Sequence, residues 1–83
     1  MNFIVPHGVR KAESELLTNP QFKSLLLRAA AARASTRGAG RWRAYETLKR
    51  QLDHICGWSS RDPAMGPEHY QAGLRMLTKA LEV

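Results

Sequence analysis

Helix punctuation divides this chain, and the division leaves little room for any fold other than a helical bundle. Asn19-Pro20, Gly38-Ala39-Gly40, Gly57 and Gly66-Pro67 interrupt stretches in which apolar residues recur at helical spacing. Asparagine can cap the free amides of a new helix, and proline is pre-set for its first position. Asn19-Pro20 therefore predicts a helix over 20–34, with Phe22, Leu25, Leu26 and Ala29 on one face and an all-alanine run at 29–32 that favours helix by propensity. Residues 35–40 (Ser-Thr-Arg-Gly-Ala-Gly) break the pattern as an Arg/Gly joint, either bent or absorbed into one long helix.

The period returns over 41–56, where Trp42, Tyr45, Leu48, Leu52, Ile55 and Cys56 make an apolar stripe. Gly57 follows at a position where helices commonly end in a left-handed residue. A loop holds Trp58, expected to plug the angle between the last two helices, together with Asp62-Pro63. Pro67-Glu68 opens a helix over 67–81 with Tyr70, Gly73, Leu74, Leu77, Ala80 and Leu81 inward. Ahead of these, residues 1–8 read as an extended lead-in. Residues 9–18 read as a short helix burying Ala12, Leu16 and Leu17. Only residues 3–5 hint at strand alternation, over too short a span to form a strand. The expected fold is all-α: a small single-domain bundle of about four helices.

A chain of 83 residues builds a marginal core, so a homodimer or a stabilising partner is expected. One cysteine, Cys56, excludes an intramolecular disulfide framework and fits a reducing compartment. No apolar run reaches the ~18 residues of a membrane span, and the first residues have neither the basic region nor the apolar run of a secretory leader. The expectation is a protein that stays inside a cell and has no membrane partner.

The formal net charge of +6 is a local feature. Residues 23–50 hold eight of the thirteen Lys and Arg residues and one acid, Glu46, while the rest of the chain is nearly balanced. Charge clustered in this way is the footprint of a polyanion or of an acidic protein surface. Arg43, Thr47, Arg50 and His54 recur at intervals of four, three and four, which places them on one stripe opposite the Tyr45/Leu48/Leu52 face. Such side chains can reach phosphates and base edges in a major groove, though a solvated helix face has the same composition. Arg28, Arg33, Arg37 and Arg41 extend the basic surface into the joint. A helical domain shows no folding need for so many arginines around two glycines, which makes the joint the stronger binding candidate. A continued helix would stack Arg33, Arg37 and Arg41 as a ridge; a bend would gather them at a corner.

Catalytic signals are missing. His7, His54 and His69 fall in separate regions, and none pairs with another ligand at helical spacing. Cys56 and His54 diverge by about 200° around a helix, and Cys56 on the apolar stripe reads as a core side chain. Gly38-Ala39-Gly40 follows a helix, not a strand, and lacks the Lys-Ser/Thr of a phosphate loop. Neither an enzyme nor a cofactor or metal site is expected. Trp42, Tyr45, Trp58 and Tyr70 read as core or core-edge residues, which argues against base stacking. Leu27 points about 100° away from Leu26 and is a candidate for a protein contact.

Between Trp42 and Leu81 the chain runs Tyr45-x-x-Leu48-Lys49-Arg50-x-Leu52, then Gly57-Trp58, then Pro67-x-x-Tyr70-x-x-x-Leu74-x-x-Leu77. This half resembles the C-terminal helical domain of phage antirepressor (ORF6C-type) proteins. The half before it, with Asn19-Pro20 and the Arg-Gly joint, departs from that pattern, and the family offers no catalytic motif to carry over. The resemblance implies a phage- or mobile-element-encoded regulator acting in the cytoplasm of a bacterial host. Its partner would be nucleic acid or, in the manner of anti-CRISPR inhibitors, a host protein or nucleoprotein complex.

Overall fold

Four α-helices make up the regular structure of the described residues: α1 (His7–Leu16), α2 (Pro20–Ser35), α3 (Ala39–Cys56) and α4 (Pro67–Leu81). The computed structural model describes residues 7–83, with side chains from Arg10 onward. No strand occurs among them, and the expected all-α bundle is what forms. The alternation at 3–5 lies outside the described residues.

Local signals account for the helix ends. α1 begins two residues before the predicted start and stops two before the predicted end. Its last turn tightens as the amides of Thr18 and Asn19 donate to the carbonyls of Glu15 (3.1 Å) and Leu16 (2.9 Å). Asn19 is thereby released into extended backbone, and its Oδ1 accepts from the Phe22 amide at 3.0 Å to cap α2, with Pro20 in the first turn. The same turn swings Leu17 outward: it is exposed, against the expectation that it faces the core.

Between α2 and α3 the chain bends. Thr36 closes α2 with its amide on the Ala32 carbonyl, and Gly38 takes φ +54°, a conformation that costs a side-chain-bearing residue energy. α3 then starts at Ala39, so the break is shorter than the expected 35–40 joint. At the other end of α3 the expected left-handed glycine is absent. Gly57 has φ −101°, and the need for glycine there is steric: a Cβ would collide with the Asp53 carboxylate.

α4 packs against α1, α2 and α3, and α2 packs against α3. After the breaks at 36–38 and 57–66, the C-terminal ends of α2 and α4 meet beside the start of α3, where Glu82 reaches Arg33 and Arg41. Leu16, Phe22, Leu25, Leu52, Leu77 and Leu81 are the largest fully buried side chains. Each contributes on the order of 1.5–3 kcal/mol relative to exposure. Ala72, unassigned by the periodicity, is also fully buried.

Two tryptophans depart from expectation. Trp42 is 55% exposed and Trp58 is 99% exposed. Trp42 sits in the first turn of α3, about a quarter turn around the helix from the mean direction of Leu48, Leu52, Ile55 and Cys56. It therefore lies at the edge of the stripe. Trp58 is held in the loop by backbone contacts, and its ring projects into solvent instead of plugging the α3–α4 angle.

Candidate nucleic-acid interface

The basic residues of 23–50 divide into two groups once the helices are assembled. The first closes the α2–α3 corner. Arg41 Nε donates to the Thr36 carbonyl and its Nη2 to the Arg33 carbonyl, each at 3.2 Å, which satisfies two of the free carbonyls at the end of α2. Arg33 pairs with Glu82 at 2.7 Å, and Arg41 reaches the other Glu82 oxygen at 3.8 Å. Two helix C-termini carry partial negative charge at this corner, so cations there are favourable whether or not a ligand binds. The premise that the fold has no use for the joint's arginines thus fails for Arg33 and Arg41. Sequence inspection missed Glu82, whose left-handed backbone (φ 56°) ends α4 and directs its carboxylate across the corner. The contact spans 49 positions and leaves no local signal.

The second group faces solvent. Arg43, Thr47, Arg50 and His54 are all exposed on α3, on the side away from the buried Leu48 and Leu52. Thr47 Oγ1 donates to the Arg43 carbonyl at 3.0 Å and keeps lone pairs free to accept. Arg37, in the joint, and Arg28, on α2, are exposed as well. Among the described residues, Arg28, Arg37, Arg43 and Arg50 form no ion pair. From Arg43 to His54 the stripe is about 16 Å long at 1.5 Å per residue. Beside it, Arg28, His54 and Gln51 line a shallow cavity of about 530 Å³ between α2 and α3. Gln51 Oε1 is buried there without a hydrogen-bond partner.

The far end of α3 has the opposite character. The Asp53 carboxylate accepts from the Trp58 amide (2.6 Å) and the Ser59 hydroxyl (2.7 Å), and these bonds, Ser59 first, hold its pKa below the ordinary value. Cys56, Trp58, Met65, Pro67 and Tyr70 border an apolar cavity of about 460 Å³. Burial pushes the Cys56 thiol up to about 11, so it is protonated at neutral pH, and burial also raises the Tyr70 phenol. Leu27, 73% exposed on α2, stands in solvent as expected, one of four exposed large apolar side chains among the described residues with Leu17, Trp42 and Trp58.

The histidines stay apart where they are described. His54 is exposed, whereas His69 is held structurally. Its Nδ1 accepts from the Gly66 amide at 3.1 Å, so Nε2 carries the proton that it shares with Glu15 at 3.0 Å, tying α4 to α1. The His7 side chain lies outside the described residues. Among those described, no three His, Cys, Asp or Glu residues cluster to hold a metal ion, and no helix is long and apolar enough to cross a membrane. No protein-family model, curated protein or solved structure matches this chain.

Proposed function

We propose that this chain is a small nucleic-acid-binding regulator that grips a phosphate backbone through Arg28, Arg37, Arg43 and Arg50. The observation that carries this reading is their exposure without a carboxylate partner, in contrast to Arg33 and Arg41, which the fold engages. Thr47 and His54 lie on the same face and would approach the bases. The resemblance of residues 42–81 to a phage antirepressor domain supports a regulator encoded by a phage or mobile element and acting in a bacterial cytoplasm. Four phosphate contacts give a slope of log K against log[salt] of about −3.6 for duplex DNA, at roughly −0.9 per contact. A slope near zero overturns the proposal.

A second reading has its own support. Leu27 and Trp58 are large apolar side chains in solvent, and Trp58 borders an apolar cavity. That arrangement suits an inhibitor that binds a host protein or nucleoprotein complex, with Arg anchors beside an apolar contact. It requires a stoichiometric host complex that survives nuclease treatment, and it fails if nothing remains bound.

A further inference from the structure

Among the described residues, Trp42 is an exposed aromatic side chain within the most basic stretch of the chain. It is 55% exposed in the first turn of α3, flanked by Arg41 and Arg43 and four residues beyond Gly38, the turn residue that follows Arg37. Its indole meets Tyr45 edge-to-face, with centroids 5.8 Å apart and planes at 88°. An edge-to-face contact covers at most one face of the indole and restrains its motion. The result is a flat π-surface, restrained by Tyr45, with Arg43 next to it in the chain and Arg37 five residues before it; neither arginine has an ion-pair partner among the described residues.

We propose that Trp42 is a stacking platform for an unpaired nucleobase of the strand whose phosphates Arg37 and Arg43 contact. Stacking on an aromatic side chain supplies sequence-tolerant affinity, and guanidinium groups beside it follow the backbone from one base to the next. The inference rests on the nucleic-acid reading above and deepens it, by assigning a single-stranded or locally unpaired segment to the amino-terminal end of α3. Trp58 supplies an internal contrast. It is more exposed than Trp42, but its amide donates to the Asp53 carboxylate, and a negative charge at that point disfavours phosphate.

The test uses the full chain carrying Trp58→Phe, which leaves Trp42 as its only tryptophan. This variant is titrated by intrinsic fluorescence with oligothymidylate, oligouridylate, duplex DNA and heparin. The expected result is strong quenching by one or both single strands and little by heparin, a polyanion without bases. Stronger quenching by the deoxy or the ribo strand assigns DNA or RNA. Trp42→Ala is expected to weaken single-strand binding by roughly 5- to 150-fold, the loss of about one stacked base, without changing the salt slope. Trp42→Phe keeps a ring and should retain most of the affinity, which separates stacking from a folding defect; circular dichroism of both variants checks helicity. Unchanged single-strand affinity in a folded Trp42→Ala protein, with the parent still binding, overturns this inference alone. A parent that binds neither duplex nor single strand overturns the proposed function, and this inference with it.

Discussion

The two ends of α3 are each closed by a tight turn and each leave a tryptophan in solvent, yet they are built from opposite charges. At the amino-terminal end a guanidinium does the closing: Arg41 caps the α2 carbonyls and shares Glu82 with Arg33. At the carboxy-terminal end a carboxylate does it, as Asp53 gathers the Trp58 amide and the Ser59 hydroxyl. An exposed aromatic ring by itself says little about a partner. The charge of the turn that presents the ring is more informative. Arg37 and Arg43, near Trp42 in the chain, have no ion-pair partner among the described residues, whereas the aspartate-built turn puts a negative charge and an apolar cavity beside Trp58.

The sharpest way to break this contrast is to separate arginines that bind from arginines that fold. Arg43→Ala combined with Arg50→Ala should weaken duplex binding about 60-fold near 0.1 M salt, at roughly 0.9 log units per lost contact, and leave the melting temperature unchanged. Arg41→Ala should do the reverse, because it frees two carbonyls at the end of α2. Its expected cost is about 1–2 kcal/mol, read as a lower melting temperature by ~4–8 °C per kcal/mol. If Arg41→Ala abolishes binding and the protein melts as before, the division of the basic residues is wrong.

Glu82 sharpens the corner further. Its ion pairs are half exposed, so Glu82→Ala should cost no more than about 1 kcal/mol. Glu82→Gly loses the same ion pairs but removes the left-handed penalty at φ 56°, and should melt above the alanine variant by the equivalent of about 1 kcal/mol. Equal melting points would mean that the backbone there is not strained. The smallest effect belongs to the other end. The Asp53 pKa is depressed by folding from its ordinary 3.8, so its contribution is complete above that value and is lost as pH falls through the lower folded value. Protection of the Trp58 amide from hydrogen exchange, relative to its intrinsic rate at each pH, should be lost over that interval in the parent and be low at every pH in Asp53→Ala. Gly57→Ala should lower the melting temperature at least as much as Asp53→Ala, since its methyl evicts the same carboxylate.

Particular residues show how much of this was legible. Asn19-Pro20 and Gly66-Pro67 marked the starts of α2 and α4, because caps and proline act within one turn of the residue that carries the signal. The Arg43/Thr47/Arg50/His54 stripe was placed on the outer face by periodicity alone, and all four side chains are exposed. Trp42 was misplaced because a stripe read as apolar does not say where its edge falls. Only the positions of α2 and α4 against α3 define the buried arc, and Trp42 lies outside it. Trp58 was misplaced because the loop after α3 is arranged by Asp53, whose carboxylate holds the Trp58 amide while the ring stays in solvent beside the α3–α4 cavity and does not fill it.

The sequence by itself determined the four helices, the breaks between them, most of the core positions and the concentration of positive charge between residues 23 and 50. These follow from interactions spanning one to four residues and from a count of ionisable groups. The tertiary structure alone decided whether the joint bends, which arginines the fold uses and how far each tryptophan is exposed. Which arginines the fold pairs with a carboxylate depends on where the end of α4 comes to rest. Glu82 reaches Arg33 and Arg41 only after the bundle has closed, and a charge pair between distant segments has no periodicity by which to announce itself.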